Sequence, residues 1–344
     1  MWKYHLKMGK IASESQSPLS DEDFELISAL QISPRAKWSE LGPILGRHPS
    51  TLSARWERLR AQNLVWCVGH LGGRPGLNCA ALIEVEADPA RMEETQRALC
   101  ALPEVQSVDG ATRHADFRLI CLSPDWLTMS REVLPLISAV PGVLRIKVSV
   151  CTKIYTSAEH FHFDALNKQQ ERELKRLAPA VHPQRTIVPD ALWPCLDVLQ
   201  RDGRATAKQI AEVTGQHPAT VARMLRRALE SGMLFVRCEL ATNFSGEPLL
   251  VQWFARVSRD AIDAVADYLM TMRNLRLCVQ TTGEANLIFN MQVRDPVDIA
   301  QIEHQLMSAF PHIDILETCV GIRSFKRMGW ILDEEGRPTG EVVA

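Results

Sequence analysis

Three absences narrow what this 344-residue sequence can be. No window approaches the ~18 uninterrupted apolar residues that a membrane-crossing helix needs, so no membrane contact is expected. The nine cysteines (67, 79, 100, 121, 151, 195, 238, 278 and 319) contain no Cys-x-x-Cys pair and mostly lie inside apolar runs. They read as buried, reduced thiols of a cytoplasmic protein rather than as a disulfide framework or a metal cage. An excess of basic charge is missing too, since the formal net charge is −2 and the isoelectric point lies near 6.6. Any contact with nucleic acid must therefore come from locally clustered cations. What is present is ordinary globular composition, 46% hydrophobic and 23% charged, in a chain longer than one typical domain. Met1 to Pro18 mixes Lys3, His5, Lys7 and Lys10 with small polar residues and reads as a loose tail, not a signal peptide.

The strongest positive signal is an internal repeat. Gly46-Arg47-His48-Pro49-Ser50-Thr51-Leu52 returns as Gly215-Gln216-His217-Pro218-Ala219-Thr220-Val221, a spacing of 169 residues that also relates Leu30-Gln31 to Leu199-Gln200 and Arg58 to Arg227. Further on, Thr112-x-x-x-Asp116 faces Thr282-x-x-x-Asn286, and Pro141-Gly142-Val143 faces Pro311-His312-Ile313, at a spacing of 170. One inserted residue separates the two registers, and the duplicated unit is about 140 residues long.

Within the first copy, Ser20 with Asp23 three residues later forms a helix-opening pair ahead of Phe24, Ile27 and Leu30. A second helix is expected over Trp38 to Leu45, then a turn at Gly46 and a third helix opening on Pro49, where the missing N–H costs nothing. Leu52, Trp56 and Leu59 make one buried face of that third helix, leaving Ser50, Thr51, Arg55 and Arg58 on the other. The second copy places Val221, Leu225 and Ala228 inside and Thr220, Arg223, Arg226 and Arg227 outside. Three helices so spaced predict a helix-turn-helix.

After each third helix, Leu64-Val65 or Met233-Leu234 leads into a Gly/Pro/Asn-rich stretch that reads as a β-hairpin wing. Strand-period alternation at Phe117, Leu119 and Cys121, at Leu144, Ile146, Val148 and Val150, and at Leu287, Phe289 and Met291 completes a βαββαβ order in each copy. Helices are expected over Pro89 to Ala101, Pro124 to Ala139, Asp260 to Met272 and Pro296 to Phe310. The fold class is α+β: two tandem units, each a winged helix-turn-helix followed by a ferredoxin-like βαββαβ domain. The expected boundaries are a flexible tail 1–19, helix-turn-helix 20–78, effector and assembly domain 79–154, a linker with one helix 155–187, helix-turn-helix 188–248, effector and assembly domain 249–326, and a C-terminal tail 327–344. In the linker, Asn167 with Gln170 resembles a capping box.

The motif Gly-x-x-Pro-[Ser/Ala]-Thr-[Leu/Val], the helix-turn-helix and the βαββαβ order together resemble the Lrp/AsnC (feast/famine) family of transcriptional regulators, over Ser20 to Thr152 and again over Val188 to Lys326. The second copy carries wording close to the family's, Asp202-Gly203-Arg204 and Thr281-Thr282-Gly283-Glu284-Ala285-Asn286. The first copy departs, with Ser33-Pro34-Arg35 and Thr112-Arg113-His114-Ala115-Asp116 in those places. The resemblance implies double-stranded DNA as partner and a small-molecule effector such as an amino acid. It also implies an intramolecular pseudo-dimer of the two units and a homo-oligomer of chains.

The DNA-binding candidates are thus Ser50, Thr51, Arg55 and Arg58 in the first copy and Thr220, Arg223, Arg226 and Arg227 in the second. The effector-binding candidates are Thr282, Gly283, Glu284 and Asn286; arginine in place of Gly283 puts the first copy's site in question. His48 and His217 read as partly exposed turn residues. His160-Phe161-His162 places two histidines on one strand face, but Glu159 and Asp164 would point opposite ways, and neither a metal nor any other cofactor is assigned. The chain reads as a non-enzyme. The alternatives are a sirohaem-decarboxylase-like enzyme on the same fold and a ligand-sensing assembly protein that does not bind DNA. Arg113 and His114 suit the first, but the aromatic-Asn-Trp run of that class is missing from Ala115-Asp116-Phe117-Arg118-Leu119.

Overall fold

The computed structural model describes residues 19–72, 78–158, 161–181 and 188–343. The first unit opens with α1 (Asp21–Ile32), where the Ser20 hydroxyl accepts the Asp23 amide and the Asp23 carboxylate accepts the Ser20 amide. After α2 (Trp38–Leu45), Gly46 turns the chain at φ +63°, a left-handed conformation that glycine adopts without a side-chain clash. α3 (Pro49–Ala61) buries Leu52, Trp56 and Leu59. There follow β1 (Val65–Leu71), β2 (Cys79–Ala87), α4 (Met92–Cys100), β3 (Val105–Ala111) and β4 (Phe117–Ser123). The unit ends with α5 (Trp126–Thr128), α6 (Leu134–Ser138) and the long strand β5 (Val143–Ser157). α7 (Lys168–Leu177) is capped by Asn167 and Gln170 as expected.

The second unit repeats the series with α8 (Trp193–Arg201), α9 (Ala207–Thr214), α10 (Pro218–Glu230), β6 (Leu234–Leu240) and β7 (Leu249–Arg256). It continues through α11 (Ile262–Met270), β8 (Leu275–Thr281), β9 (Leu287–Val293), α12 (Pro296–Ala309) and β10 (Asp314–Arg327). β11 (Trp330–Leu332) and β12 (Pro338–Val342) close the chain.

The two effector domains share their strands. β5 pairs with β2 through its first half and with β8 of the other unit through its second, while β10 pairs with β7 and then with β3. Eight strands thereby close into a ring, with β11 and β12 added beside β10. Each four-stranded half packs its outer face on its own helices, burying Ile83, Val85 and Leu119 in one unit and Trp253, Phe289 and Met291 in the other. The inner faces meet at Ala80, Leu82, Phe254, Leu277, Val279 and Ile288. Among these apolar side chains lies a buried ion pair, Arg118 to Glu317 at 3.0 Å, with the guanidinium over the Phe254 ring.

The wing differs from expectation. The strand after each third helix does not fold back as a hairpin: β1 pairs antiparallel with β6, from Val65 opposite Leu240 to Leu71 opposite Leu234. Residues 73–77 of the first expected wing lie outside the described residues. This ribbon ties the two helix-turn-helix units together, and a reciprocal exchange of arginines reinforces it. Arg35 donates to the carbonyls of Gly203 and, at 2.8 Å, Ala205; its counterpart Arg204 donates to those of Pro34 and, at 2.9 Å, Ala36. Arg204 also lies over the Trp38 ring, 4.2 Å from its centroid. Gly203 is required by close approach, since a Cβ there would meet Val236 Cγ1 at 2.9 Å and the Cys67 carbonyl carbon at 3.0 Å.

Two further expectations are corrected. The linker is part of the first unit's core, because Phe161, Phe163, Leu166 and Leu174 pack with α1 and α3. The stretch expected to be a C-terminal tail is folded: Trp330 packs at a tilt against Trp66 of the ribbon and donates its indole N–H to the Gln200 carbonyl at 2.8 Å. The N-terminal tail, residues 1–18, lies outside the described residues.

Arg204→Ala strips donors from two carbonyls and uncovers Trp38, so it should cost about 1–3 kcal/mol of stability. Arg35→Ala should behave alike. Urea unfolding checks both, and unchanged midpoints would show that the exchange does not stabilise the pair.

Candidate DNA-reading helices and effector pocket

The third helices begin alike. His48 and His217 are N-caps whose Nδ1 atoms accept the amides of Ser50 and Ala219, so each histidine takes the capping role usual for serine. Ser50 and Thr51 on α3 and Thr220 on α10 are exposed, as expected.

The arginines diverge. Arg55 does not point outward: its side chain is 20% exposed and folds back on α1, donating to Glu22 and, at 2.8 Å, to Asp23. Arg58 is more exposed but is also tied to Asp23, at 2.6 Å, and Arg47 holds Glu22 at 2.9 Å. Asp23 itself is 2% exposed. Burial acts to raise its pKa, yet the Ser20 amide, Arg55 and Arg58 together hold the carboxyl below its ordinary value. On α10, Arg223, Arg226 and Arg227 are all exposed. Arg226 stands 3.9 Å from Glu230, and Arg223 and Arg227 have no ion pair among the described residues.

The four effector candidates line one cavity of about 830 Å³. Thr282 and Asn286 help to shape it through bonds to the backbone. The Thr282 hydroxyl accepts the Val150 amide at 3.0 Å, while the Asn286 side chain accepts the Val257 amide at 2.9 Å and donates to its carbonyl at 2.7 Å. Gly283 sits at φ +108°, a conformation open to glycine and strained for other residues. Sequence reasoning missed Arg256, Arg259 and Asp314, which reach the same cavity from the ends of β7 and β10, and Thr152, which comes from the first unit. Nothing in their local sequence marks them: pairing of β7 with β9 and β10 brings Arg256, Arg259 and Asp314 to the hairpin, and closure of the ring adds Thr152. Arg256 also donates to the Glu284 carbonyl at 3.1 Å and stands 3.5 Å from its carboxylate. Two guanidinium groups and two carboxylates around one cavity suit a ligand that carries both charges.

The first unit has lost this pattern. At a spacing of 170 residues, Glu86, Pro89 and Leu144 stand for Arg256, Arg259 and Asp314. Asp116 still accepts the Ala87 amide, at 2.7 Å, where Asn286 holds Val257, but as a carboxylate it cannot return a donor. The left-handed residue has moved as well, from the Gly283 position to His114 at φ +38°. Among the described residues no cluster of three His, Cys, Asp or Glu could hold a metal ion; His160 lies outside them, and His162 turns its ring to the Phe163 carbonyl at 3.1 Å. No described helix is long and apolar enough to cross a membrane.

Comparison with known proteins agrees with this reading of the fold. The family model of the Lrp/AsnC ligand binding domain matches residues 80–159, and that of a winged helix-turn-helix DNA-binding domain matches residues 196–234. An uncharacterised HTH-type transcriptional regulator of Pyrococcus abyssi is 24% identical over 149 residues, 43% of this chain and 94% of its own. Another, from Pyrococcus horikoshii, is 24% identical over 138 residues, 40% of this chain and 87% of its own. Among solved structures, the siroheme decarboxylase NirDL superposes with a TM-score of 0.60 at 16% identity, over 91% of this chain and 95% of that one, which shows a shared two-unit fold. The chain thus carries an Lrp/AsnC ligand binding domain in its first unit and a winged helix-turn-helix in its second, on a fold of two units in tandem that is similar to Lrp/AsnC regulators.

Proposed function

We propose that the chain is a DNA-binding transcriptional regulator that takes a small zwitterion, an amino acid or a close relative of one, in its second unit. The observation that carries the DNA reading is the exposed trio Arg223, Arg226 and Arg227 on α10, within a chain of net charge −2. Cations concentrated on the one helix that a helix-turn-helix lays in the major groove are placed to meet phosphates and base edges. The effector reading follows from the cavity at Gly283: Arg256 and Arg259 suit a carboxylate, Glu284 and Asp314 suit an ammonium group, and the first unit lacks the equivalent set.

The fold of siroheme decarboxylase NirDL makes an enzyme the second reading. It rests on architecture, and chemistry does not follow from a shared fold. In the first hairpin Arg113 and His114 are exposed, with no aromatic-Asn-Trp run beside them. Anoxic incubation with sirohaem separates the two readings: an unchanged absorbance spectrum supports the regulator, and a decarboxylated product supports the enzyme.

Gel retardation of genomic fragments captured by the purified chain tests the DNA reading. The logarithm of the affinity should fall with the logarithm of salt concentration, with a slope of about −0.9 for each phosphate contacted. Failure to retard any fragment would leave a ligand-sensing assembly protein.

Calorimetry against a panel of amino acids tests the effector reading. About one site per chain is expected for a pocket built in one unit only. Arg259→Gln should weaken binding, and Gly283→Arg should abolish it by straining the hairpin. Two equivalent sites per chain would contradict a pocket confined to the second unit.

A further inference from the structure

We infer that each chain reads DNA sequence with one recognition helix only, α10, while α3 rides in a helix-turn-helix whose cations are neutralised by its own first helix. The inference rests on the DNA-binding reading above and specifies which half of the tandem performs it.

The two third helices share fold, capping and length but not electrostatics. On the α3 side, Glu22 and Asp23 between them engage Arg47, Arg55 and Arg58. Arg55, 20% exposed, must leave Glu22 and Asp23 to reach a phosphate, and Arg58, 42% exposed, has its charge matched by Asp23; without both, that almost wholly buried carboxylate would keep only the Ser20 amide as partner. A buried carboxylate deprived of its cations is strongly unfavourable, so the pairing resists competition from DNA. The remaining outward positions offer little in exchange, since Ala54 and Glu57 stand where the second unit has Arg223 and Arg226. Glu57 is exposed and would repel the phosphate backbone.

On the α10 side the retaining acids are gone. Ala191, Leu192 and Pro194 occupy the positions of Glu22, Asp23 and Glu25. Leu192 is buried as an apolar core residue where Asp23 is buried as an ion-pair partner. Nothing equivalent can draw Arg223, Arg226 or Arg227 away from the outer face. The arginine exchange between Arg35 and Arg204 holds the two units together, so α3 accompanies α10 without supplying a matching set of contacts. The sequence element read per chain is therefore a single half-site rather than a palindrome.

The experiment is selection of duplexes by the full chain from a random-sequence DNA library, followed by binding titrations on the selected site at several salt concentrations. Unfolding curves confirm that each variant is folded. The triple variant Arg223→Ala/Arg226→Ala/Arg227→Ala should lose at least about 100-fold in affinity and flatten the salt slope by up to about 2.7. Arg55→Ala/Arg58→Ala should change affinity by less than about threefold, as expected of side chains that make no phosphate contact. Glu22→Gln/Asp23→Asn gives a second reading that survives if the latter variant does not fold. By releasing Arg47, Arg55 and Arg58 it should tighten binding and steepen the slope by up to about 2.7. A loss in Arg55→Ala/Arg58→Ala as large as in the triple variant, or no tightening in Glu22→Gln/Asp23→Asn, would overturn the inference. A parent chain that selects no sequence at all would overturn the DNA-binding reading itself.

Discussion

Each effector domain has open strand edges that only the other can pair, and the rest of the structure depends on that mutual closure. β5 and β10 are long enough to serve both sheets, so each unit lends the second half of its last strand to its neighbour. An unpaired edge of that length would be a template for aggregation. Fusion in one chain supplies the partner edge at high effective concentration. The closure completes the pocket: Thr282 is held by Val150, and Thr152 lines the cavity although both β5 residues belong to the first unit. The first hairpin makes the mirror contact, with the Thr112 hydroxyl donating to the Val320 carbonyl at 2.8 Å.

Residues that hold the two copies together have kept their symmetry, whereas residues at the outward sites have lost it. Arg35 and Arg204 make the same pair of bonds in opposite directions, and Thr112 and Thr282 each reach across to the other unit's long strand. Against this stand Ala54 and Arg223, Glu57 and Arg226, Glu86 and Arg256, Arg113 and Gly283. In a homodimer every substitution appears twice, so a change that abolishes a site abolishes both. Tandem fusion removes that constraint, because one copy can keep a pocket or a basic helix while the other serves as its structural complement.

Elements governed by local patterns were legible in the sequence, and those governed by distant partners were not. The repeat, the Ser20 and Asn167 caps, the three-helix order and the alternating strands all follow from spacing within a few residues, and the structure shows them. The apolar pair Leu64-Val65 and the glycines that follow mark a strand and a turn but not that β6 is the partner, so the ribbon between units reads as a hairpin within each. Arg55 falls on the outward side of a helical wheel, and only the acids at Glu22 and Asp23, thirty-odd residues earlier in the chain, decide where its side chain goes. Ser33-Pro34-Arg35 looked like a departure from the second copy's Asp202-Gly203-Arg204, yet Arg35 performs the same bonding as Arg204. The C-terminal residues carry no marked periodicity because they fill a gap, Trp330 against Trp66 and Lys326 Nζ on the Leu102 carbonyl at 2.8 Å.

The link between the ring of strands and the helix-turn-helix pair is a buried charge cluster. Glu239 on β6, 1% exposed, accepts two bonds from Arg276 of β8 at 2.7 and 2.8 Å and stands 3.8 Å from Arg327 of β10. Burial acts to raise its pKa, but Arg276, Arg327 and Arg237 outweigh it and keep the carboxyl below its ordinary value, hence ionised near neutrality. β8 carries Arg276 near one end and the pocket residues Gln280 and Thr281 at the other. Separating Arg276 from Glu239 would leave a buried charge without its main partner, a cost of about 3–5 kcal/mol. A ligand present at a hundred times its Kd supplies only about 2.7 kcal/mol. Ligand binding of that strength does not outweigh the clamp, which ties β8 to β6 and, through β6, to the paired β1.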